Sequence, residues 1–391
     1  MNEVENEVVY LGVNEQASPI EKGAANIFKY NAGIAHLRLV LLLFVSINVF
    51  GVAGGVIGNF IEVVSGFAMI AYFIISGFLI LYDDKGRNGR ITRTIGRSAL
   101  TFIILGAVYL GLNFIFYYIG GVNIFTMYNY ATKRFWFNLL VLNIWPYNIG
   151  SLIWFVEAYL FAYIFIYIVN KLKLMKLDWL FFIIFAVIGF ATSEFSAFIP
   201  FKFFGYPYLP HGVITMALPY IFLGSFLRRK IASFAKLDNI YYVLIGILSM
   251  VLCFAEGFVL SKYGKLYTTH TFIGVSILAF CVAVIAIKPD IVVSPTEVYY
   301  QDAMADPNGP SYIEVHFPSY FLWMYYLMHP VSVGLMTAAA YISPKVFAIA
   351  QDWIWIINYA VCVGLAMLIG LIIDVFVRRK ANKKPRRKYK H

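Results

Sequence analysis

The sequence has few charged residues, and this shortage narrows the classes of protein to which it can belong. Only 13% of its 391 residues are Asp, Glu, Lys or Arg, whereas about 25% is typical of soluble domains. Hydrophobic residues make up 61% of the chain, and the mean hydropathy is +0.76. This composition is far from that of a soluble domain and favours a membrane protein.

Cysteines are also few, and the sequence has no segment typical of a signal peptide. The three cysteines, Cys253, Cys281 and Cys362, lie inside apolar stretches. Their positions suit small buried side chains and give neither a disulfide framework nor the spacing of a metal site. The first 28 residues are polar and acidic, unlike the basic start and apolar core of a signal peptide. We expect no redox chemistry, no metal and no cleavable leader.

Long apolar runs, by contrast, fill the chain between Arg38 and Val377. With a rise of 1.5 Å per residue, most can cross a hydrocarbon core about 30 Å thick. Hydropathy, turn signals and charges place spans at 38–58, 67–82, 98–119, 151–169, 178–193, 213–228, 240–260, 271–287, 319–342 and 353–377. We predict an all-α polytopic membrane protein with about ten transmembrane helices.

Lysine and arginine are concentrated in alternate connections between these spans. The basic set is 85–97, 171–176, 228–236 and residue 288. The positive-inside bias predicts a multi-pass plasma-membrane protein with both termini in the cytoplasm. The predicted organisation is a polar tail (1–28), a membrane domain (29–377) and a polybasic tail (378–391) suited to anionic lipid. Nucleic-acid binding is disfavoured, because the basic residues are divided among short membrane-flanking loops.

Polar groups within the predicted spans are candidate functional residues, because each is costly in a membrane. Glu157 is placed about two turns below the outer face, where it either lines a vestibule or pairs near a helix end. His329 is the deepest histidine, and Pro330 after it should kink the helix and expose a backbone acceptor. The alternative is a buried neutral histidine bonded to a neighbouring helix.

A row of arginines precedes the third predicted span. Arg90, Arg93 and Arg97 could bind a phosphate-bearing ligand such as the phosphoadenosine end of coenzyme A, because guanidinium groups hold phosphates in bidentate fashion. The alternative is that these residues are basic for topology alone.

Several motifs occur in an order that resembles one family. The motifs are residues 33–50, YFIISGFLI (72–80), RITRTIGR (90–97), SLIWFVEAYLFAYIF (151–165), LPYIFLGSFLRR (218–229) and SYFLWMYYLMHPV (319–331). The chain resembles acyltransferase family 3, membrane proteins that typically move acetyl or other short acyl groups from cytoplasmic acyl-CoA to cell-surface carbohydrates. The resemblance implies that Arg38 steadies the acyl donor or the developing oxyanion and that Arg90 and Arg93 hold the donor's phosphates.

One position departs from that family. Its signature is an arginine, ten residues and a histidine, but Val49 stands where the histidine would follow Arg38. Asn48 lies about 80° off the face of Arg38 and cannot exchange a proton near neutral pH. We predict His329 as the substitute base, with His36 as the alternative. Ser76 is either a close-packing residue or a lining residue of the site.

The predicted function is O-acylation of a cell-surface or exported polysaccharide, with acetyl-CoA or another acyl-CoA as donor and carbohydrate as acceptor. Arg38, Glu157 and His329 are the predicted catalytic residues, and Ser76, Arg90, Arg93 and Arg97 are the predicted donor-binding residues. The alternative is a non-catalytic relative that exports or flips a polysaccharide or lipid-linked sugar, which the missing histidine favours. A subunit partnering a polysaccharide synthase is a third hypothesis, which no feature of the sequence selects.

Overall fold

The computed structural model describes part of the chain, and all its regular elements are helical. The described residues are 32–50, 55–81, 86–119, 132–133, 137, 153–198, 212–262, 272–288, 331–332, 334–336, 338–339 and 342–382. No strand occurs among them. The predicted all-α class is therefore confirmed for these residues. His329, Pro330 and most of the predicted span 319–342 lie outside them.

The longer described helices follow the apolar runs. They are α1 (Ala32–Phe50), α2 (Gly55–Ser65), α3 (Phe67–Ile80), α4 (Arg87–Ile119), α5 (Trp154–Lys171), α6 (Asp178–Thr192), α7 (Leu218–Ala235), α8 (Asn239–Lys262), α9 (Ile273–Ile287) and α10 (Pro344–Asn382). A π-turn, Val213–Ala217, leads into α7, which has a proline in its first turn, where its missing N–H costs no hydrogen bond.

Five helical segments are long and apolar enough to cross a membrane. They are Phe60–Ile80, Arg87–Leu112, Trp154–Lys171, Met175–Thr192 and Asn239–Lys262. These segments support a membrane protein, but they do not confirm the predicted number of about ten spans. The predicted first span, 38–58, runs past the end of α1 at Phe50, and α2 begins at Gly55. The predicted tail boundary at residue 377 falls within α10.

The helix ends that carry basic residues lie at one end of the bundle. Arg90 Nε donates to the Ile80 carbonyl (2.9 Å), which joins the start of α4 to the end of α3. Asn170 at the end of α5 donates to Asn88 (2.7 Å). Tyr242 at the start of α8 donates to the Phe234 carbonyl of α7 (2.8 Å). The contacts therefore place together the connections that the charge pattern assigned to one side. We call this the basic end.

An ion pair between a buried carboxylate and a partly exposed arginine fixes α6 to α7 at the basic end. Asp178, the first residue of α6, is fully buried and accepts hydrogen bonds from Arg229 Nε (2.8 Å) and Ser225 Oγ (2.9 Å). A second Arg229 nitrogen bonds the other carboxylate oxygen. The arginine thus holds the carboxylate in bidentate fashion, while the helix N-terminus also favours the negative charge.

Two glycines allow α3 and α7 to cross closely. A Cβ added at Gly77 would collide with the carbonyl oxygen of Ile221, and one added at Gly224 would collide with that of Ile74. Small residues at helix crossings are a main device for packing within membranes, where lipid removes the hydrophobic advantage of burial. The crossing supports the close-packing role predicted for the Ser76–Gly77 segment, but it assigns that role to the glycine.

Candidate functional site

A cluster of hydroxyl groups joins α3 to α5 inside the bundle. Ser76 of α3 shares hydrogen bonds with the hydroxyls of Tyr159 and of Tyr163 (2.7 Å) in α5. Tyr159 and Tyr163 are four residues apart, so they project from the same face of their helix. Ser76 is 8% exposed and Tyr163 is fully buried. We call Ser76, Tyr159 and Tyr163 the hydroxyl cluster.

Arg38 lies beside this cluster. Its side chain is partly buried and interacts electrostatically with the hydroxyls of Tyr72 and Tyr159. Tyr72 also donates a hydrogen bond to the backbone carbonyl of Arg38 (3.0 Å), which fixes α1 against α3. Since Tyr72 and Ser76 are one turn apart on α3, a guanidinium and four hydroxyls converge between three helices. The structure therefore brings Arg38 and Ser76, both predicted site residues, into one region.

Aromatic rings form a wall of this region. Phe73 and Phe155 stack with ring centroids 4.7 Å apart, and Tyr159 and Tyr163 lie 4.8 Å apart. Tyr72 contacts Phe155 edge to face at 6.2 Å. The wall combines apolar ring faces with hydroxyl tips, a combination suited to holding either an acyl chain or a sugar ring.

The arginines of α4 divide into two groups. Arg87 is buried and Arg90 is half-buried, and they contact Asn170 of α5 and Ile80 of α3 respectively. Arg93 and Arg97 are exposed. The Ile80 carbonyl is four residues beyond Ser76, so Arg90 reaches α3 about 6 Å along the axis from the hydroxyl cluster. Of the predicted donor-binding arginines, Arg90 thus contacts the helix that carries Ser76.

A further arginine, which the sequence did not single out, also reaches the end of α3. The guanidinium of Arg228 lies over the ring of Phe78, 4.8 Å from its centroid. Phe78 is two residues beyond Ser76, so a second cation lies at the basic end of the helix that carries the cluster. A cation over a ring face is stabilised by about 0.5–2 kcal/mol.

The predicted catalytic residues do not form one described constellation. Glu157 is fully buried in the first turn of α5. It precedes Tyr159 by two residues, which places it about 200° around the helix and directs it away from the hydroxyl cluster. His329 lies outside the described residues. The catalytic roles of Glu157 and His329 stay predictions.

The region around the missing histidine is partly described. Asn48 is 9% exposed, and its amide nitrogen donates to the Glu62 backbone carbonyl (3.4 Å). Its side-chain oxygen is buried and has no hydrogen-bond partner among the described residues. Val49 belongs to α1, but its side chain and that of His36 are not among those described. Asn48 therefore links α1 to α2 through its amide nitrogen.

Glu256 illustrates a polar residue with a structural role. The predicted spans place it, with Glu194, His211 and His270, at or near the outer face, where such residues either line a vestibule or lie at helix ends. Its two carboxylate oxygens accept the backbone N–H groups of Ile273 (3.0 Å) and Gly274 (2.9 Å). Glu256 thus caps the start of α9, which agrees with the helix-end alternative. His211, His270 and the side chain of Glu194 are outside the described part.

An apolar groove of about 380 Å³ lies elsewhere in the bundle. Its lining includes Val40, Phe44, Phe60, Phe67 and Met250, and all its lining side chains are apolar. Val40 and Phe44 lie about 200–240° around α1 from Arg38. The groove therefore lies on the other side of α1 and offers no group for chemistry. No cluster of three His, Cys, Asp or Glu residues suited to a metal occurs among the described residues.

Sequence reasoning missed the tyrosines, although the chain carries a signal for them. Tyr72 with Ser76, and Tyr159 with Tyr163, are pairs of hydroxyl residues spaced four apart in apolar helices. This spacing places both hydroxyls of a pair on one face, where neighbouring helices can share hydrogen bonds. A search for such pairs would have identified both helices, but not that they face each other.

Comparisons of the chain with protein-family models, with curated proteins and with solved structures gave no match. The resemblance to acyltransferase family 3 accordingly stays a prediction that depends on the motifs of the sequence.

Proposed function

We propose that the protein is a membrane-embedded O-acyltransferase that moves an acetyl or other short acyl group from acyl-CoA to a cell-surface or exported polysaccharide. In this proposal it has about ten spans in the plasma membrane and both termini in the cytoplasm. The observation that carries the proposal is the convergence of Arg38 with the hydroxyl cluster inside an apolar bundle. Such a set is costly in a membrane and is typical of a functional site.

The chemistry proposed for these groups is stabilisation of the transition state at the acyl carbonyl group. Attack of a sugar hydroxyl on the thioester carbonyl develops negative charge on the carbonyl oxygen. Collapse of this intermediate breaks the C–S bond, and the coenzyme A thiolate leaves and takes up the proton that the base removed from the sugar. The Arg38 guanidinium and the hydroxyls of Ser76 and Tyr159 are donors that can stabilise this charge in a site shielded from water. The wall of Phe155 and Tyr159 would hold the acyl group or the sugar ring against them.

The donor's phosphates are proposed to bind at the basic end of α3. Arg90 and Arg228 contact Ile80 and Phe78 there, which are four and two residues beyond Ser76. An elongated donor could therefore hold its phosphates at the arginines and its thioester at the hydroxyl cluster. Phosphate and guanidinium form charge-assisted hydrogen bonds, each contributing about 1.5–3 kcal/mol. The base that accepts the sugar proton is proposed to be His329.

The test is acyl transfer by the purified full-length protein in lipid nanodiscs, with labelled acetyl-CoA and an acceptor polysaccharide. Arg38→Gln and Tyr159→Phe should each lower the rate by about 10²–10³-fold, the effect of removing one oxyanion donor. The matched control for the second is Tyr220→Phe, since Tyr220 forms a buried hydroxyl pair with Ser276 (2.5 Å) away from the cluster. Equal losses in both tyrosine variants, or no labelled product with wild type, would contradict the proposal.

Export of a glycan without acyl transfer is the second candidate, and Val49 favours it. Valine cannot act as a base, and it stands where the family that the chain resembles has its histidine. Val49→His should raise acyl transfer if the rest of the site is intact, by a factor of up to about 10²–10⁴. No transfer by either protein, with unmodified glycan retained inside cells lacking the gene, would favour the exporter.

A further inference from the structure

Helix α4 presents two opposite faces, and within the described part of the chain only one of them packs against other helices. Ile91, Ser98, Leu105 and Tyr109 are buried, and α5 is the main helix that α4 contacts. These four residues lie within about 40° of each other around the helix. The opposite face begins with the exposed pair Arg93 and Arg97.

Above this pair runs a continuous exposed apolar stripe. Leu100 is 60% exposed, Ile104 46%, Ile115 52% and Tyr118 76%. Together with Arg93 and Arg97 they lie within an arc of about 60°. A Cβ added at Gly111, on the same stripe, would meet no atom within 4 Å. The stripe from Leu100 to Tyr118 is about 27 Å long, close to the thickness of a hydrocarbon core.

Arg93 and Arg97 face away from the hydroxyl cluster. Arg93 and Arg97 point about 80–160° away from the face that packs against α5, and α5 carries Tyr159 and Tyr163. Arg87 and Arg90 contact the neighbouring helices, whereas neither Arg93 nor Arg97 forms an ion pair or hydrogen bond within the described residues. Two guanidinium groups are therefore available at the foot of an apolar stripe.

We propose that Arg93 and Arg97 bind the phosphate of an anionic phospholipid whose chains lie along Leu100 and Ile104. Guanidinium groups bind phosphate, which accounts for the headgroup. Leu100 and Ile104 lie about 4.5 and 10.5 Å above Arg97, within the roughly 15 Å of one leaflet, which accounts for the chains. The site does not depend on acyl transfer, and it differs from the donor phosphates that the sequence predicted for these arginines.

Native mass spectrometry of the detergent-purified chain with added phosphatidylglycerol or phosphatidylcholine tests the proposal. The double variant Arg93→Gln/Arg97→Gln should bind phosphatidylglycerol about 25-fold more weakly, since a basic residue near the membrane surface contributes a factor of about 5. Phosphatidylcholine binding should change little. The matched control is Lys230→Gln/Lys236→Gln, which removes two exposed charges at the basic end from a helix without such a stripe and should change binding less than about twofold.

A second measurement locates the lipid. Phosphatidylglycerol with a photoreactive group in its acyl chain should cross-link to peptides containing Leu100 or Ile104, and much less in the double variant. Equal weakening in the control variant would overturn the site in favour of diffuse attraction to the basic end. Unchanged phosphatidylglycerol binding with loss of acetyl-CoA binding would identify donor phosphate as the ligand. If light scattering showed a dimer for wild type and a monomer for the double variant, the occupant of this face would be a second copy of the chain.

Discussion

The substitution Gly77→Ala tests the closest helix crossing in the described structure. The added Cβ would collide with the carbonyl oxygen of Ile221 and would lie 2.8 Å from the carbonyl carbon. These are backbone atoms, which cannot rotate aside as the end of a flexible side chain can. Helix α3 and helix α7 must therefore move apart, which disturbs the packing on both sides of the crossing.

The expected cost follows from two opposing effects. Overpacking costs about 1–3 kcal/mol, and a collision with backbone belongs at the upper end of that range. Alanine is favoured over glycine in a helix by about 1 kcal/mol. The net loss of stability for Gly77→Ala is then about 2 kcal/mol. The control Gly111→Ala gains the helix preference without a collision, because its Cβ meets no atom within 4 Å, so it should be as stable as wild type or slightly more stable.

Thermal unfolding with a thiol-reactive fluorogenic maleimide measures this difference, because all three cysteines are buried and react only when the bundle opens. Gly77→Ala should unfold below wild type and Gly111→Ala at or above it. Gly224→Ala, which collides with Ile74, should also unfold early. The double variant at positions 77 and 224 should lose less than the sum, because one separation of the helices relieves both collisions. Gly77→Ala unfolding no earlier than Gly111→Ala would refute the close crossing.

Three further predictions concern polar contacts and topology. Arg229→Gln should lower stability by about 3 kcal/mol, because it leaves Asp178 buried without its cation, and adding Asp178→Asn should recover most of the loss in the same dye assay. Glu256→Ala should cost about 0.5–2 kcal/mol by uncapping α9, which thermal unfolding would show. In intact cells, an impermeant maleimide should label a cysteine placed at Asn123 but not one at Asn88; the reverse pattern would invert the predicted orientation.

Helices bounded by charges or turn residues were the easiest to predict. The predicted span 240–260 corresponds to α8, Asn239–Lys262, and the predicted span 178–193 corresponds to α6, Asp178–Thr192. In both cases an apolar run starts or ends at a polar residue that the hydropathy profile registers. The fold class depends on such runs alone, so composition and periodicity were sufficient for it.

The first predicted spans were less accurate, for a physical reason. A hydropathy window measures apolar content but not the direction of the chain. Residues 38–58 are mainly apolar after Arg38, yet α1 ends at Phe50 and α2 begins at Gly55. From Phe60 the helical segment continues to Ile80 and is interrupted only at Gly66. The sequence placed a boundary between 58 and 67 that this segment crosses.

The site could be predicted only in part, because its contacts join residues distant in the chain. Ser76 bonds hydroxyls 83 and 87 residues away. The sequence identified Ser76 and Arg38 through a family resemblance, which gives positions but not contacts between helices. It grouped Arg93 and Arg97 with Arg90 because they share a motif, whereas their exposure differs. Contacts between helices, rather than spacing within one helix, separate these residues.

The buried polar groups of this bundle fall into two kinds, and the difference indicates which of them serve function. Asp178 and Glu256 satisfy helix ends or a cation that would otherwise lack partners. The hydroxyls of the cluster form hydrogen bonds mainly with one another. The neighbouring aromatic stack already packs α3 against α5.

Replacing all members of such a cluster with apolar groups of similar shape is close to neutral for stability. The triple variant Ser76→Ala/Tyr159→Phe/Tyr163→Phe should therefore unfold within about 1 kcal/mol of wild type in the dye assay while losing acyl transfer. Ser76→Ala alone should unfold earlier than the triple variant if an unpaired hydroxyl remains. A large loss of stability in the triple variant would make the cluster a structural link between the two helices, and its presence would then no longer support a site there.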